Sequence, residues 1–172
     1  MQKRKKYYRR SEQYIPKQYD PLNLAYMAGI VDGEGCFFIG QANTDHKGKI
    51  TRHHRCCLKI DNTDEILITW IMNTFSGVNS AINRWTSTRK YERTIHSWVA
   101  TGDRLTDLCE QILPYLVIKT RHCANIIKFR KTFSGKIGCN KKPSKESLEI
   151  REVCMKESRK LNSRWHLHPL KN

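Results

Sequence analysis

With 172 residues the chain is long enough for one ordinary domain with a substantial core, plus tails. Its 32 Lys and Arg against 16 Asp and Glu leave a net charge of +16, which points to a polyanionic partner; charge alone would also suit a basic ribonucleoprotein component. Seven cysteines without a single Cys-x-x-Cys pair exclude a paired zinc-ligand pattern and argue against a disulfide framework. Most of them are expected to be small core residues in a reducing intracellular compartment, either a bacterial or phage cytoplasm or an organelle matrix. Neither a signal peptide nor an apolar run of membrane-spanning length is present, so no membrane association is expected. His53-His54 and His166-x-His168 lack thiol or carboxylate partners at ligand spacing and read as solvated or phosphate-touching side chains.

The positive surplus is spread along the sequence: seven basic against two acidic residues in 1–20, fifteen against ten in 21–133, and ten against four in 134–172. Residues 1–20 lack apolar periodicity and are expected to form a basic arm that orders on its partner. A core domain is expected over 21–133, then a basic linker, C-terminal helix and tail over 134–172. Within the core, Pro21 and Asn23 open a helix predicted to run to about Asp32, stopped by Gly33 and Gly35. Cys36 to Ile39 is a strand pattern, Gln41 to Lys49 a polar turn-rich stretch, and Ile50 to Ile60 a second strand. Asn62 with Glu65 three residues on predicts a capping box for a helix carrying Ile66, Leu67, Trp70, Ile71, Met72 and Phe75. Strands are expected from Ser80 to Thr88 and Arg93 to Thr101. Helices follow from an Asp103 cap to Leu113, from Leu116 to Phe133 and from Lys145 to Leu161. The order αββαββα with a further C-terminal helix is an α+β pattern, helices covering one face of a four-stranded antiparallel sheet.

The most informative segment is Met27-Ala28-Gly29-Ile30-Val31-Asp32-Gly33-Glu34-Gly35. Ala25, Gly29 and Gly33 recur every fourth residue and line one helix face with almost no side chain, so another helix can approach closely. Asp32 and Glu34 fall at the helix C-terminus, where the macrodipole is negative; acids there are unfavourable unless a cation joins them.

This run resembles the signature of the LAGLIDADG homing endonucleases, eight of its nine positions being identical or close substitutes, with Gly33 in place of an alanine and Glu34 in place of an aspartate. The resemblance implies that Glu34 ligates a divalent metal, helped by the Gly33 carbonyl, and that the motif helix packs against a second copy of itself. The chain carries one copy, so two chains are expected to pair through Ala25, Ala28, Gly29, Asp32 and Gly33. A second resemblance lies in Leu113-Pro114-Tyr115-Leu116-Val117-Ile118-Lys119, where the family places an apolar run after a proline that delivers a lysine to the active site; it assigns Lys119 a catalytic role. A weaker match puts Lys59 in the catalytic water network. The implied cofactor is Mg²⁺, with Mn²⁺ substituting and Ca²⁺ binding without supporting cleavage.

A sheet covered on one side leaves its other face for a ligand. A strand of about ten residues spans roughly 33 Å, matching about ten base pairs, so two sheets related by a two-fold axis would read on the order of twenty base pairs of a roughly palindromic duplex. Phe38, Gly40 and Ala42 share the parity of Glu34 and are expected to face the bases, whereas a bulge would bring in Gln41 and Asn43 instead. Further expected DNA contacts are Arg52, His54, Arg84, Thr86, Arg89, Arg93 and His96, with Lys47, Lys49 and Lys90 as phosphate contacts or solvated loops. Two functions remain open. One is a homodimeric, metal-dependent, intron-type endonuclease that makes double-strand breaks with short 3′ overhangs. The other is a non-cleaving DNA-binding regulator or an RNA maturase on the same fold.

Overall fold

The computed structural model describes residues 17–46, 48–75, 83–85, 94–133 and 143–163. The arm to residue 16, Lys47, the segment carrying Thr86, Arg89, Lys90 and Arg93, and the linker 134–142 lie outside the described residues. Helix α1 (Pro21–Glu34) leads into strands β1 (Gly35–His46) and β2 (Lys49–Asn62), followed by α2 (Glu65–Thr74), β3 (Asn83–Trp85) and β4 (Ile95–Ala100). Then come α3 (Gly102–Ile112), a 3-10 turn (Leu113–Tyr115), α4 (Thr120–Lys131) and α5 (Lys145–Asn162). The strands form one antiparallel sheet in the order β1-β2-β4-β3.

Asp20 caps α1, its carboxylate accepting from the N–H groups of Leu22 (3.0 Å) and Asn23 (3.2 Å), and Pro21 occupies the first turn, where no N–H is needed. Leu24, Met27, Ala28 and Val31 recur at helical spacing and are buried, while Leu22, Ala25, Tyr26, Gly29 and Gly33 are exposed. Ala28 is therefore a core residue, and its expected place in a chain-to-chain seam is corrected. The helix also runs past Asp32 to Glu34, because Gly33 keeps helical geometry and Gly35 is the cap, at φ −73° and ψ 136°. No left-handed turn is involved. Gly35 is needed for space, since a Cβ there would lie 2.7 Å from the Val31 carbonyl oxygen.

Beneath the helices lie Phe37 and Ile39 of β1, Cys56, Leu58 and Ile60 of β2, and Trp98 and Ala100 of β4. Ile68 and Ile71 of α2, Leu105, Leu108, Cys109 and Ile112 of α3, Cys123, Ile126, Ile127 and Phe129 of α4, and Cys154 and Met155 of α5 complete that core. The expected polar turn at Gln41–Lys49 is instead strand through His46. Its pairing with β2 is unbroken from Gly35↔Ile60 to His46↔Lys49, and Gly48 (φ +79°) supplies the tight turn. Ladder hydrogen bonds and hairpin geometry override the low strand propensity of those residues. At α2 the cap is Asp64 rather than Asn62, whose side chain accepts from the Asp64 N–H at 2.8 Å, so the capping box does not form. Asp103 lies inside the first turn of α3 and pairs with Arg130 instead of capping.

Helix α5 closes the free edge of β1, where unpaired strand groups would otherwise face solvent. Ser158 Oγ accepts the Ile39 N–H (3.2 Å), and the Asn162 amide donates to the Phe37 carbonyl (3.0 Å).

Residues 116–119, expected to begin a helix, form a bent loop tied to the end of α1. The Asp32 carboxylate accepts the N–H groups of Val117 (2.8 Å), Ile118 (3.2 Å) and Lys119 (2.8 Å). Burial alone would raise its pKa, but these three bonds and the Lys119 charge hold it below its ordinary 3.8. A carboxyl with a lowered folded-state pKa stabilises the fold above its unfolded pKa and loses that contribution as pH falls through the folded value. The Asp32→Asn variant should be less stable by about 1–2 kcal/mol near neutrality in urea denaturation, the scale of charge-assisted bonds. That deficit should shrink only below pH 3.8, once Asp32 itself takes up a proton.

Candidate nucleic-acid interface and acidic end

Strand parity separates two sheet faces. With Phe37, Ile39, Cys56, Leu58 and Ile60 under the helices, the opposite face carries Cys36, Phe38, Gly40 and Ala42 from β1 and His53, Arg55, Cys57, Lys59 and Asp61 from β2. Ser97 and Val99 continue it on β4. The register pairs Cys36 with Lys59, Phe38 with Cys57, Gly40 with Arg55 and Ala42 with His53. The Arg55 guanidinium lies over the Phe38 ring, 5.8 Å from its centroid. Phe38 in turn folds over Gly40, where a Cβ would fall 2.3 Å from the ring. Gly40 is thus the bed for Phe38 rather than a direct contact, while Phe38 itself remains 38% exposed.

Several expected DNA contacts lie elsewhere. No bulge shifts the register, so Gln41 and His54 point toward α5: the Gln41 amide donates to Glu152 Oε1 at 2.9 Å, and His54 Nε2 lies 2.9 Å from the same oxygen. The His54 ring also meets Phe129 edge-on. Asn43 and Arg52 are exposed register partners on that same side, away from the Phe38 face. His96 is buried, opposite Asn62 and beneath the helices. Gln41, His54 and His96 are turned to the helix side for one reason: polar character marks them as base readers, whereas position in the pleat decides which way a side chain points. Arg84 is the register partner of His96 in β3, and Lys49 lies in β2. Arg55, one of the basic strand residues, lies on the open face because Cys56, Leu58 and Ile60 take the buried side.

At the end of α1 the sequence-predicted catalytic residues come together. Glu34 is exposed at the last helical position, and Lys119 Nζ donates to the Val31 carbonyl at 2.9 Å. That carbonyl also takes the Gly35 N–H, so a cation from 88 residues away neutralises the negative helix end. Burial lowers the Lys119 pKa against the opposing pull of Asp32, Cys36 and Glu34. Asp32 spends its carboxylate on the loop. Lys59 stands opposite Cys36, close to the same end, and pairs with Asp61 at 2.7 Å. Among the described residues no group of three or more His, Cys, Asp or Glu is arranged to hold a metal. A single exposed Glu34 with the neighbouring Gly33 carbonyl suits an ion such as Mg²⁺, which takes few protein oxygens and completes its shell with phosphate and water. Val117 and Ile118, 85% and 73% exposed on the clamped loop, are further apolar surface beside α1.

Residues 27–133 match the model of the LAGLIDADG endonuclease family. The fold is shared with the homing endonuclease I-CvuI in complex with its target in the presence of calcium, at TM-score 0.63 and 18% identity over 83% of this chain and 83% of that one. It is shared also with the archaeal intron-encoded homing endonuclease I-Vdi141I complexed with DNA, at TM-score 0.60 and 11% identity over 81% and 84% of the respective chains. No curated protein matches the chain. A family match spanning most of the sequence, on a fold that sets an acid-tipped helix beside a half-open sheet, places the chain in the LAGLIDADG endonuclease family.

Proposed function

We propose that the chain is a site-specific DNA endonuclease that acts as a homodimer and requires Mg²⁺. The observation that carries this reading is Glu34 exposed beside Lys119 at the end of a helix whose outer face is apolar and nearly flat. Two copies of α1 packed through Ala25, Gly29 and Gly33, flanked by Leu22 and Tyr26, would bring two Glu34 carboxylates together, one for each DNA strand. The exposed apolar loop at Val117 and Ile118 would extend that seam. Repulsion between the two carboxylates favours cation uptake.

Glu34 and the Gly33 carbonyl would hold the ion, which supplies polarisation of the phosphoryl oxygen and a more acidic water. The side chains of this chain do the rest. Lys119 sits where charge grows on the phosphate and offsets it, and Lys59 contributes a second cation from β2. Phe38, Ala42 and Arg55 face the duplex from the open side of the sheet. Arg84, with Thr86, Arg89, Lys90 and Arg93, extends the contact surface, and Lys47 and Lys49 serve the phosphates. Two sheets reading a roughly palindromic site, cleavage leaving short 3′ overhangs, replacement of Mg²⁺ by Mn²⁺ and binding of Ca²⁺ without cleavage complete the proposal.

Glu34→Gln should lower Mg²⁺-dependent cleavage by at least about a hundredfold in single-turnover assays while target affinity stays equal or rises. Cleavage at the parent rate would contradict the role given to Glu34. Gly29→Leu should leave the protomer fold intact, because a Cβ at Gly29 meets nothing within 4 Å. The same change should convert the protein from dimer to monomer in sedimentation and abolish double-strand cutting. A dimer of unchanged stability would place the seam on another surface.

A further inference from the structure

Asp61 is an acid on a face that otherwise presents Arg55, His53 and Lys59, where it repels the phosphates the face would bind. Both of its oxygens are engaged: Oδ2 lies 2.7 Å from Lys59 Nζ, and Oδ1 accepts from Ser97 Oγ. Ser97 is its register partner on β4 and only 5% exposed, so the hydroxyl is fixed by the sheet. The Gly35↔Ile60 pairing sets Asp61 at the strand end where α1 delivers Glu34. Stability does not explain this arrangement, because an ion pair with both partners more than 40% exposed contributes little. A lysine on a flexible stem, however, gains a fixed position when its partner is itself fixed.

We infer that Asp61 is a positioning residue for cleavage: held by Ser97, it keeps the Lys59 ammonium aimed at the reacting phosphate beside Glu34. The inference rests on the endonuclease reading above and adds to it the Ser97–Asp61–Lys59 relay. It has a definite sign. If Asp61 merely damped the Lys59 charge, removing its own charge would speed cleavage; if it positions Lys59, removal slows it.

The test compares full-length wild type, Asp61→Asn, Lys59→Met and the double variant on a cleavable target DNA, with single-turnover rates in Mg²⁺ and affinities measured separately in Ca²⁺. Asp61→Asn should cut about tenfold more slowly with equal or tighter binding, and the double variant should be no slower than Lys59→Met alone. Ser97→Ala should slow cutting by a smaller factor, and thermal melts confirm that each variant folds. Asp61→Asn cutting at or above the parent rate, Lys59→Met cutting at the parent rate, or losses that multiply in the double variant would each overturn the inference. If wild type cuts and Glu34→Gln does not, such results remove the relay alone. Wild type failing to cut with any divalent ion overturns the endonuclease reading and the relay together.

Discussion

The structure turns on the C-terminal end of α1, where a helix that must present acids meets its own negative pole. The backbone carbonyls there repel Asp32 and Glu34, and the helix carries no basic residue in its last turn to offset them. The fold supplies the compensation from a distance. Lys119 brings an ammonium onto the Val31 carbonyl, and the loop before α4 turns three N–H groups onto Asp32. A cation at a helix end contributes about 0.3–1 kcal/mol and each net hydrogen bond about 1 kcal/mol, so the loop clamp outweighs the dipole effect. One acid is thereby committed to structure, and the other stays exposed at the last helical position. The same contacts set Lys119 beside Glu34, so stabilising the helix end and assembling the acidic centre are one act.

The sheet imposes the second constraint. An unbroken hairpin register from Gly35 to Asn62 leaves no freedom in which side chains face the helices. Phe37, Ile39, Leu58 and Ile60 fill the core, so Cys36, Phe38, Arg55, Lys59 and Asp61 must lie on the opposite side. Beyond the core edge, the helix-side positions Gln41 and His54 are taken up by Glu152 of α5. Helix α5 also occupies the β1 edge through Ser158 and Asn162, which prevents that edge from templating another strand. The C-terminal helix is thus built into the sheet, and its Cys154 and Met155 belong to the common core.

Much of this was legible in the residues. The motif helix, the αββαββα order and the helix of 145–162 follow from patterns that local chemistry dictates, apolar spacing and small residues on one face, whereas the meeting of Glu34 with Lys119 is what the family resemblance implies. What escaped the sequence depends on pairing across distance. Ala28 lies between the small residues Ala25 and Gly29, yet faces the core because it stands one position round from the flat stripe. Gln41, His54 and His96 look like base-reading residues by type, but register turns them inward. The caps at Asn62 and Asp103 were misplaced for a related reason. Each has a good capping side chain, but a neighbouring residue or a distant arginine engages it first. The polar tail of β1 read as a turn because its strand character comes from β2, not from its own side chains.

The central claim is that each protomer brings one acid to a seam shared by two α1 helices. It is tested most directly by a purified mixed dimer in which one protomer is wild type and the other carries Glu34→Gln, assayed on supercoiled target DNA with Mg²⁺. The account predicts nicked circles that accumulate without linear product, since one strand has its acid and the other does not. Linear product formed at the wild-type rate, or no nicking at all, would contradict it.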